Sequence, residues 1–172
     1  MAKATAPKKK QNTITHGILA DANTGKRKEI IGLLQTAYWM EIETVMSYVA
    51  NSVNPDGIRA ESVIESLQTD IQEELGHAQQ FAQRIKDLGG TVPGSKDFKA
   101  SQTALQPPKD SADIVHVIKG VIEAESGGID HYNKIIQATD DDPVTQDMVT
   151  TILADEESHR RQFVGFLREY ER

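Results

Sequence analysis

Two short stretches of this chain hold the same pair of side chains at the same spacing. "EELGH" at 73–77 carries Glu74 and His77, and "DEESH" at 155–159 carries Glu156 and His159. A carboxylate and an imidazole three residues apart share one helix face, adjacent across a turn. Both pairs interrupt faces that are otherwise apolar. Burying such groups is costly unless something compensates them, and bound cations would do so. Two further carboxylates extend the pattern. Glu41 precedes Glu74 by 33 residues and Glu125 precedes Glu156 by 31. In an antiparallel hairpin the members of each pair then reach similar depth. The order Glu, hairpin, Glu-x-x-His therefore occurs twice, as a weak internal repeat.

Four carboxylates and two imidazoles are the donor inventory of dinuclear carboxylate centres in helix bundles. Two dications balance four carboxylates in charge. The hard, oxygen-rich set has no soft donor and suits iron or manganese. The expected metal-ligating and redox residues are thus Glu41, Glu74, His77, Glu125, Glu156 and His159. Glu123 competes with Glu125, because it keeps a 33-residue spacing to Glu156. The apolar stripe favours Glu125, since ligands must point inward. Glu73 and Asp155 are placed to accept the free N–H of a ligand histidine from the facing helix. Tyr48, two turns after Glu41, is placed to hydrogen-bond a ligand carboxylate. His16, His116 and His131 read as surface or packing residues, and Trp39 as packing or interface.

These side chains need long helices to carry them. Segment A, about 25–53, shows a stripe of Ile30, Leu34, Tyr38, Val45 and Tyr48 at steps of three and four. "NPDG" at 54–57 makes a turn. Segment B, about 58–88, places Leu67, Ile71, Ala78, Phe81, Ile85 and Leu88 on one face, and "LGG" stops it. Segment C begins after Asp110 or Ser111 as N-cap, with Ile118, Ile122, Ile129, Tyr132 and Ile136 as its stripe. Segment D opens with Asp142 as cap and Pro143 at the first helical position, and its stripe is Met148, Ile152, Phe163, Phe166 and Tyr170. With no strand pattern, the expectation is an all-α four-helix bundle. The short A–B and C–D turns make antiparallel pairs. The long B–C connection, with a short helix expected inside "SKDFKASQTAL", gives up-down-down-up order.

Composition narrows the class. The chain has 172 residues, no cysteine, and 19 basic against 26 acidic side chains. Absence of cysteine excludes disulfides, thiolate zinc sites and cysteine-held clusters. No apolar run reaches the length of a membrane span and no signal peptide is evident, so a soluble cytoplasmic protein is expected. Lys3, Lys8, Lys9 and Lys10 precede the first acid, Asp21. Residues 1–20 read as a flexible basic arm on an acidic domain of residues 21–172, a body that attracts cations.

With these motifs in place, the sequence resembles the ferritin-like superfamily, especially bacterioferritins and Dps-like miniferritins. The resemblance spans about residues 25–170 and rests on Glu41 with Tyr48, "EELGH", Glu125 in "EAESGGIDHY", and "ILADEESH". It implies a ferroxidase that oxidises Fe(II) with O2 or H2O2 at an intrasubunit site of two iron ions, manganese being the other candidate. Fe(III) mineral would be stored in a cage. Three departures carry implications. Leu75 stands where bacterioferritins have a haem-ligating methionine, so no haem is expected. The chain ends 13 residues after His159, without the fifth helix of the 24-subunit cages, which implies a homo-oligomeric dodecamer. The ligand set looks intrasubunit, whereas ordinary Dps proteins build theirs between subunits. A manganese-catalase-like or rubrerythrin-like peroxidase, or a DNA-compacting protein without enzymatic activity, are the alternatives. Any DNA binding through the lysine arm would be weak, non-specific and salt-sensitive.

Overall fold

The computed structural model describes residues 14–171. Residues 1–13, which include all four lysines of the basic arm, lie outside the described residues. Four long helices dominate: α1 (Thr24–Val53), α2 (Glu61–Asp87), α3 (Ile114–Ala138) and α4 (Pro143–Tyr170). The helices are α-helical throughout, and the described residues contain no strand.

Each helix ends where local chemistry requires it. Gly57 and Gly89 take φ of 97° and 80°, a region open to glycine at little cost. After α2, Gly90 N–H donates to Ile85 O at 2.8 Å and Gly89 N–H to Lys86 O at 2.9 Å, which satisfies the last carbonyls. Asp142 caps α4 by accepting from Thr145 N–H at 3.2 Å, with Pro143 in the first turn. The cap of α3 is Asp113, whose side chain accepts from His116 N–H at 3.1 Å. That corrects the expected Asp110 or Ser111. Asp110 instead accepts from Ala112 N–H at 3.0 Å, in a turn that precedes the helix.

Residues 88–113 cross over along most of α1. Gln35 donates to Thr91 O at 2.9 Å near one end, and Asp56 N–H donates to Ser111 O at 2.9 Å at the other. The link therefore returns the chain to the end where α2 began. α3 runs parallel to α2, and the bundle has up-down-down-up order. The short helix expected inside "SKDFKASQTAL" is limited to a single 3-10 turn at its start, Ser95–Asp97. The backbone beyond it is held from α1 instead. Glu43 is buried and accepts from Ser101 N–H at 2.6 Å, Gln102 N–H at 2.8 Å and Ser101 Oγ at 2.7 Å. Leu105 enters the core, and Gly120 lets the link lie against α3. A Cβ there would meet Ala104 O at 2.7 Å.

The segment before α1 is tied down earlier than the expected boundary at residue 20. Ile18 and Ala20 are buried, and the Arg27 guanidinium donates to Ile18 O at 3.0 Å. Trp39 packs against Tyr38 and Phe98, with ring centroids 5.0 and 5.4 Å apart.

The core consists of two apolar layers. One gathers Ile30, Leu34, Phe81, Ile85, Tyr132 and Ile152, and the other Tyr48, Leu67, Leu105, Ile118, Val121 and Phe163. Between them all four helices turn polar side chains inward. The two layers supply the hydrophobic stabilisation, at about 25 cal/mol per Å² of apolar surface buried. The polar layer between them costs stability in the metal-free chain.

Candidate metal centre

Each helix contributes one of the four expected carboxylates to the polar layer, α2 and α4 each add an imidazole, and α2 also buries Asp70 beside His159. Exposure falls to 0% at Glu74, 2% at Glu41 and 3% at Glu125 and Glu156, with His77 at 4% and His159 at 5%. Helical periodicity explains the inward aim. Glu74 and His77 share the face of Ala78, Phe81 and Ile85, while Glu156 and His159 share that of Ile152 and Phe163. On α3, Glu125 is buried and Glu123 is exposed. Hence all six residues expected from the sequence come together, while Glu123 stays outside.

The donor atoms of the six form two overlapping groups, and Asp70, Glu73 and His159 form a third at their edge. Glu41, Glu74, His77 and Glu156 offer atoms all within 4.8 Å of one another, as do Glu74, Glu125, Glu156 and His159. Glu74 and Glu156 belong to both, so a pair of ions held here would share these two carboxylates. His77 Nδ1 is 3.0 Å from Glu156 Oε1 and 3.8 Å from Glu74 Oε2. His159 Nδ1 is 3.4 Å from Glu74 Oε1 and 3.9 Å from Glu156 Oε2. Both Glu74 oxygens, Glu156 Oε1 and both Nδ1 atoms are buried without a hydrogen-bond partner. Most buried polar atoms in native proteins have one. Five orphaned donor atoms facing one point fit a pair of dications.

The outer contacts orient this set. His159 Nε2 lies 2.8 Å from Glu73 Oε2, and His77 Nε2 lies 3.3 Å from Asp155 Oδ2. Each imidazole can then donate outward and keep its Nδ1 lone pair for a metal. Tyr48 donates to Glu125 and Tyr132 donates to Glu41. Tyr48 therefore serves the carboxylate of the opposite hairpin. The apolar stripe of α3 marks Tyr132 only as a core residue, although it follows Glu125 by seven positions as Tyr48 follows Glu41. Comparing the two halves would have found it. His131 donates to Leu33 O at 2.9 Å, and exposed His116 pairs with Gln106 O at 3.0 Å. Neither belongs to the donor set.

Without metal, protons take the place of cations. Burial pushes the Glu41 carboxyl well above the ordinary carboxylate range, with Glu74 adding to it. Burial and Glu156 do the same to Glu125. Burial would lower the imidazoles, but neighbouring carboxylates outweigh it. Glu156 and Glu74 bring His77 up to about 10, and Glu74 and Glu73 bring His159 up to about 9. At neutral pH the two imidazoles hold protons that a dication must displace, and the raised Glu41 and Glu125 carboxyls favour protons in the same direction, so uptake weakens as pH falls.

The ferritin-like domain family matches residues 31–172. A DNA protection during starvation protein of Pyrococcus furiosus is 26% identical over 145 residues, covering 81% of this chain and 77% of its own. A dodecameric thioferritin, the bacterioferritin-related protein of Bacteroides fragilis, superposes with a TM-score of 0.73 at 25% identity, covering 84% of this chain and 88% of its own. The Desulfovibrio desulfuricans bacterioferritin, a protein with a diiron site, gives 0.73 at 19% identity, covering 86% and 83%.

Proposed function

Because this chain belongs to the ferritin-like domain family, we propose that it is a ferroxidase that binds Fe(II) at the six-residue centre, oxidises it with O2 or H2O2, and passes Fe(III) to a mineral store. The observation that carries the reading is the pair of donor groups sharing Glu74 and Glu156. Two iron ions held there would supply one electron each to a single oxidant. With H2O2 as oxidant, two electrons and two protons yield two waters.

The chain's own groups account for the rest. Glu74 and Glu156 would be shared between the two ions. Glu41 with His77 and Glu125 with His159 complete the two ends. Tyr132 and Tyr48 hold the terminal carboxylates in place, and Glu73 and Asp155 fix the imidazoles. The charge of four carboxylates matches two dications, so loading leaves the buried layer neutral. Oxidation then makes the site positive, which favours release of the product toward acidic surface.

The test is an anaerobic Fe(II) titration followed by oxidant, with proton release recorded alongside. The expected result is saturation at about two Fe(II) per chain, release of protons on loading, and rapid oxidation followed by mineral growth. No saturable binding would sink the proposal. Manganese with peroxide turnover and no iron accumulation would favour the peroxidase alternative.

The chain is further read as the subunit of a homo-oligomeric cage without haem, since Leu75 offers no lone pair to iron. A dodecamer is the expected assembly, with a mass near twelve times 19.0 kDa by light scattering. A monomer or a 24-subunit particle would reject it. No described helix is long and apolar enough to cross a membrane. Lys3, Lys8, Lys9 and Lys10 would add only weak, sequence-independent contacts to DNA phosphates.

A further inference from the structure

The centre is nearly sealed, yet ions must reach it. Two adjoining spaces lie between α1, the crossover and α3. The inner one is about 10 Å³ and touches the cluster itself, since Glu41, Glu74, Glu125 and Glu156 line it. That is room for about one water-sized molecule. The outer one is a cleft of about 170 Å³ that opens to the surface, with exposed Glu123 and Ser101 on its wall. Met40, Gln102 and Ala124 line both spaces. They form the partition between the outer cleft and the buried cluster.

We propose that this cleft is the entry path for divalent cations, with Glu123 as the first carboxylate met and Gln102 with Met40 as the gate. The inference rests on the dinuclear reading of the cluster. Gln102 is suited to the role because it stands on an irregular segment and not on a helix. Its backbone is pinned by Glu43, while its carboxamide donates to Thr44 Oγ1 at 2.6 Å and accepts from Ser47 Oγ at 3.2 Å. Those two side-chain hydrogen bonds hold the gate shut, and breaking them frees the amide to swing away while the backbone stays clamped. Met40 is flexible enough to move with it. On α3 the wall is small, with Ala124 and Gly127 outside and Ala124 and Gly128 inside. Beyond the gate are the unpartnered oxygens of Glu74 and Glu156.

Another approach lies between α2 and α4, in a groove of about 400 Å³ lined by Ser66, Thr69, Asp70 and Gln162. Behind Asp70 stands His159, whose Nε2 lies 3.9 Å from Asp70 Oδ1 and 2.8 Å from Glu73 Oε2, and which is itself a proposed ligand. An ion entering there would have to displace part of the site it is to occupy. The gate on the crossover side opens without disturbing a ligand.

The test uses full-length protein and Co²⁺, whose visible absorption reports arrival at the centre without any oxidation. Stopped-flow entry is compared in the parent, Gln102→Ala, Ala124→Met, Glu123→Gln and Asp70→Asn. Removing the carboxamide and its two hydrogen bonds is expected to speed entry about tenfold. Ala124→Met is expected to slow it, and Glu123→Gln to slow it chiefly at low ionic strength, with the final absorbance unchanged in all of these. Full absorbance with parental rates in the Gln102 and Ala124 variants, or slowing in Asp70→Asn alone, would overturn the gate. Absence of a Co²⁺ spectrum in the parent would overturn the dinuclear reading, and the gate with it.

Discussion

Glu74→Ala is expected to abolish rapid Fe(II) oxidation, whereas Glu125→Ala weakens one half of the centre. The difference follows from position. Glu74 offers donor atoms to both groups, Glu125 to one. Loss of a residue that only orients a ligand costs about 10–100-fold in metal affinity or activity, so loss of a shared ligand should exceed about 100-fold. The fold should survive, because neither apolar layer includes Glu74. Circular dichroism and Fe(II) stoichiometry on the same samples separate the two effects. Stoichiometry should fall to near zero in Glu74→Ala, stay measurable in Glu125→Ala, and keep its parental value in Glu123→Ala. An active Glu74→Ala protein would remove the shared-ligand assignment, and an inactive Glu123→Ala protein with intact Glu125 would move the α3 ligand.

The sequence made the ligand-bearing helices legible because two independent signals coincide there. Apolar periodicity identifies the inward face, and the Glu-x-x-His pairs interrupt that face. The same logic separated Glu125 from Glu123, and the structure buries the first and exposes the second. What was not legible depends on contacts between distant segments. Glu43 looks like any charged residue on α1 until Ser101 and Gln102 are seen to donate to it. That clamp holds the crossover in irregular form, where local composition had suggested a short helix. Ile18 lacks a periodic context, so its burial under the first layer left no trace in the pattern. Nor could a single stripe show that Tyr48 and Tyr132 each reach the carboxylate of the opposite hairpin.

Arg84→Met should be among the most destabilising substitutions outside the centre. Arg84 NH2 lies 2.7 Å from Asp142 Oδ1, and its Nε donates to Thr145 Oγ1 at 2.8 Å. This joins the last turn of α2 to the start of α4, beside the α3–α4 turn. Asp142 is 1% exposed and is also the N-cap of α4, with Thr145 donating to it from both backbone and hydroxyl. Removing the guanidinium leaves a buried carboxylate with hydrogen bonds but no countercharge. Breaking a buried pair from one side costs about 3–5 kcal/mol, on the order of 10 °C in melting temperature for a domain of this size. Asp142→Asn keeps the capping oxygen and removes the charge. The double variant Arg84→Met/Asp142→Asn should therefore recover much of the loss, as neither partner is left charged and alone. Thermal melts of both singles and the double complete the cycle. Additive losses in the double variant would show that Arg84 acts through packing of its stem, and a parental melting temperature in Arg84→Met would show that the pair contributes nothing.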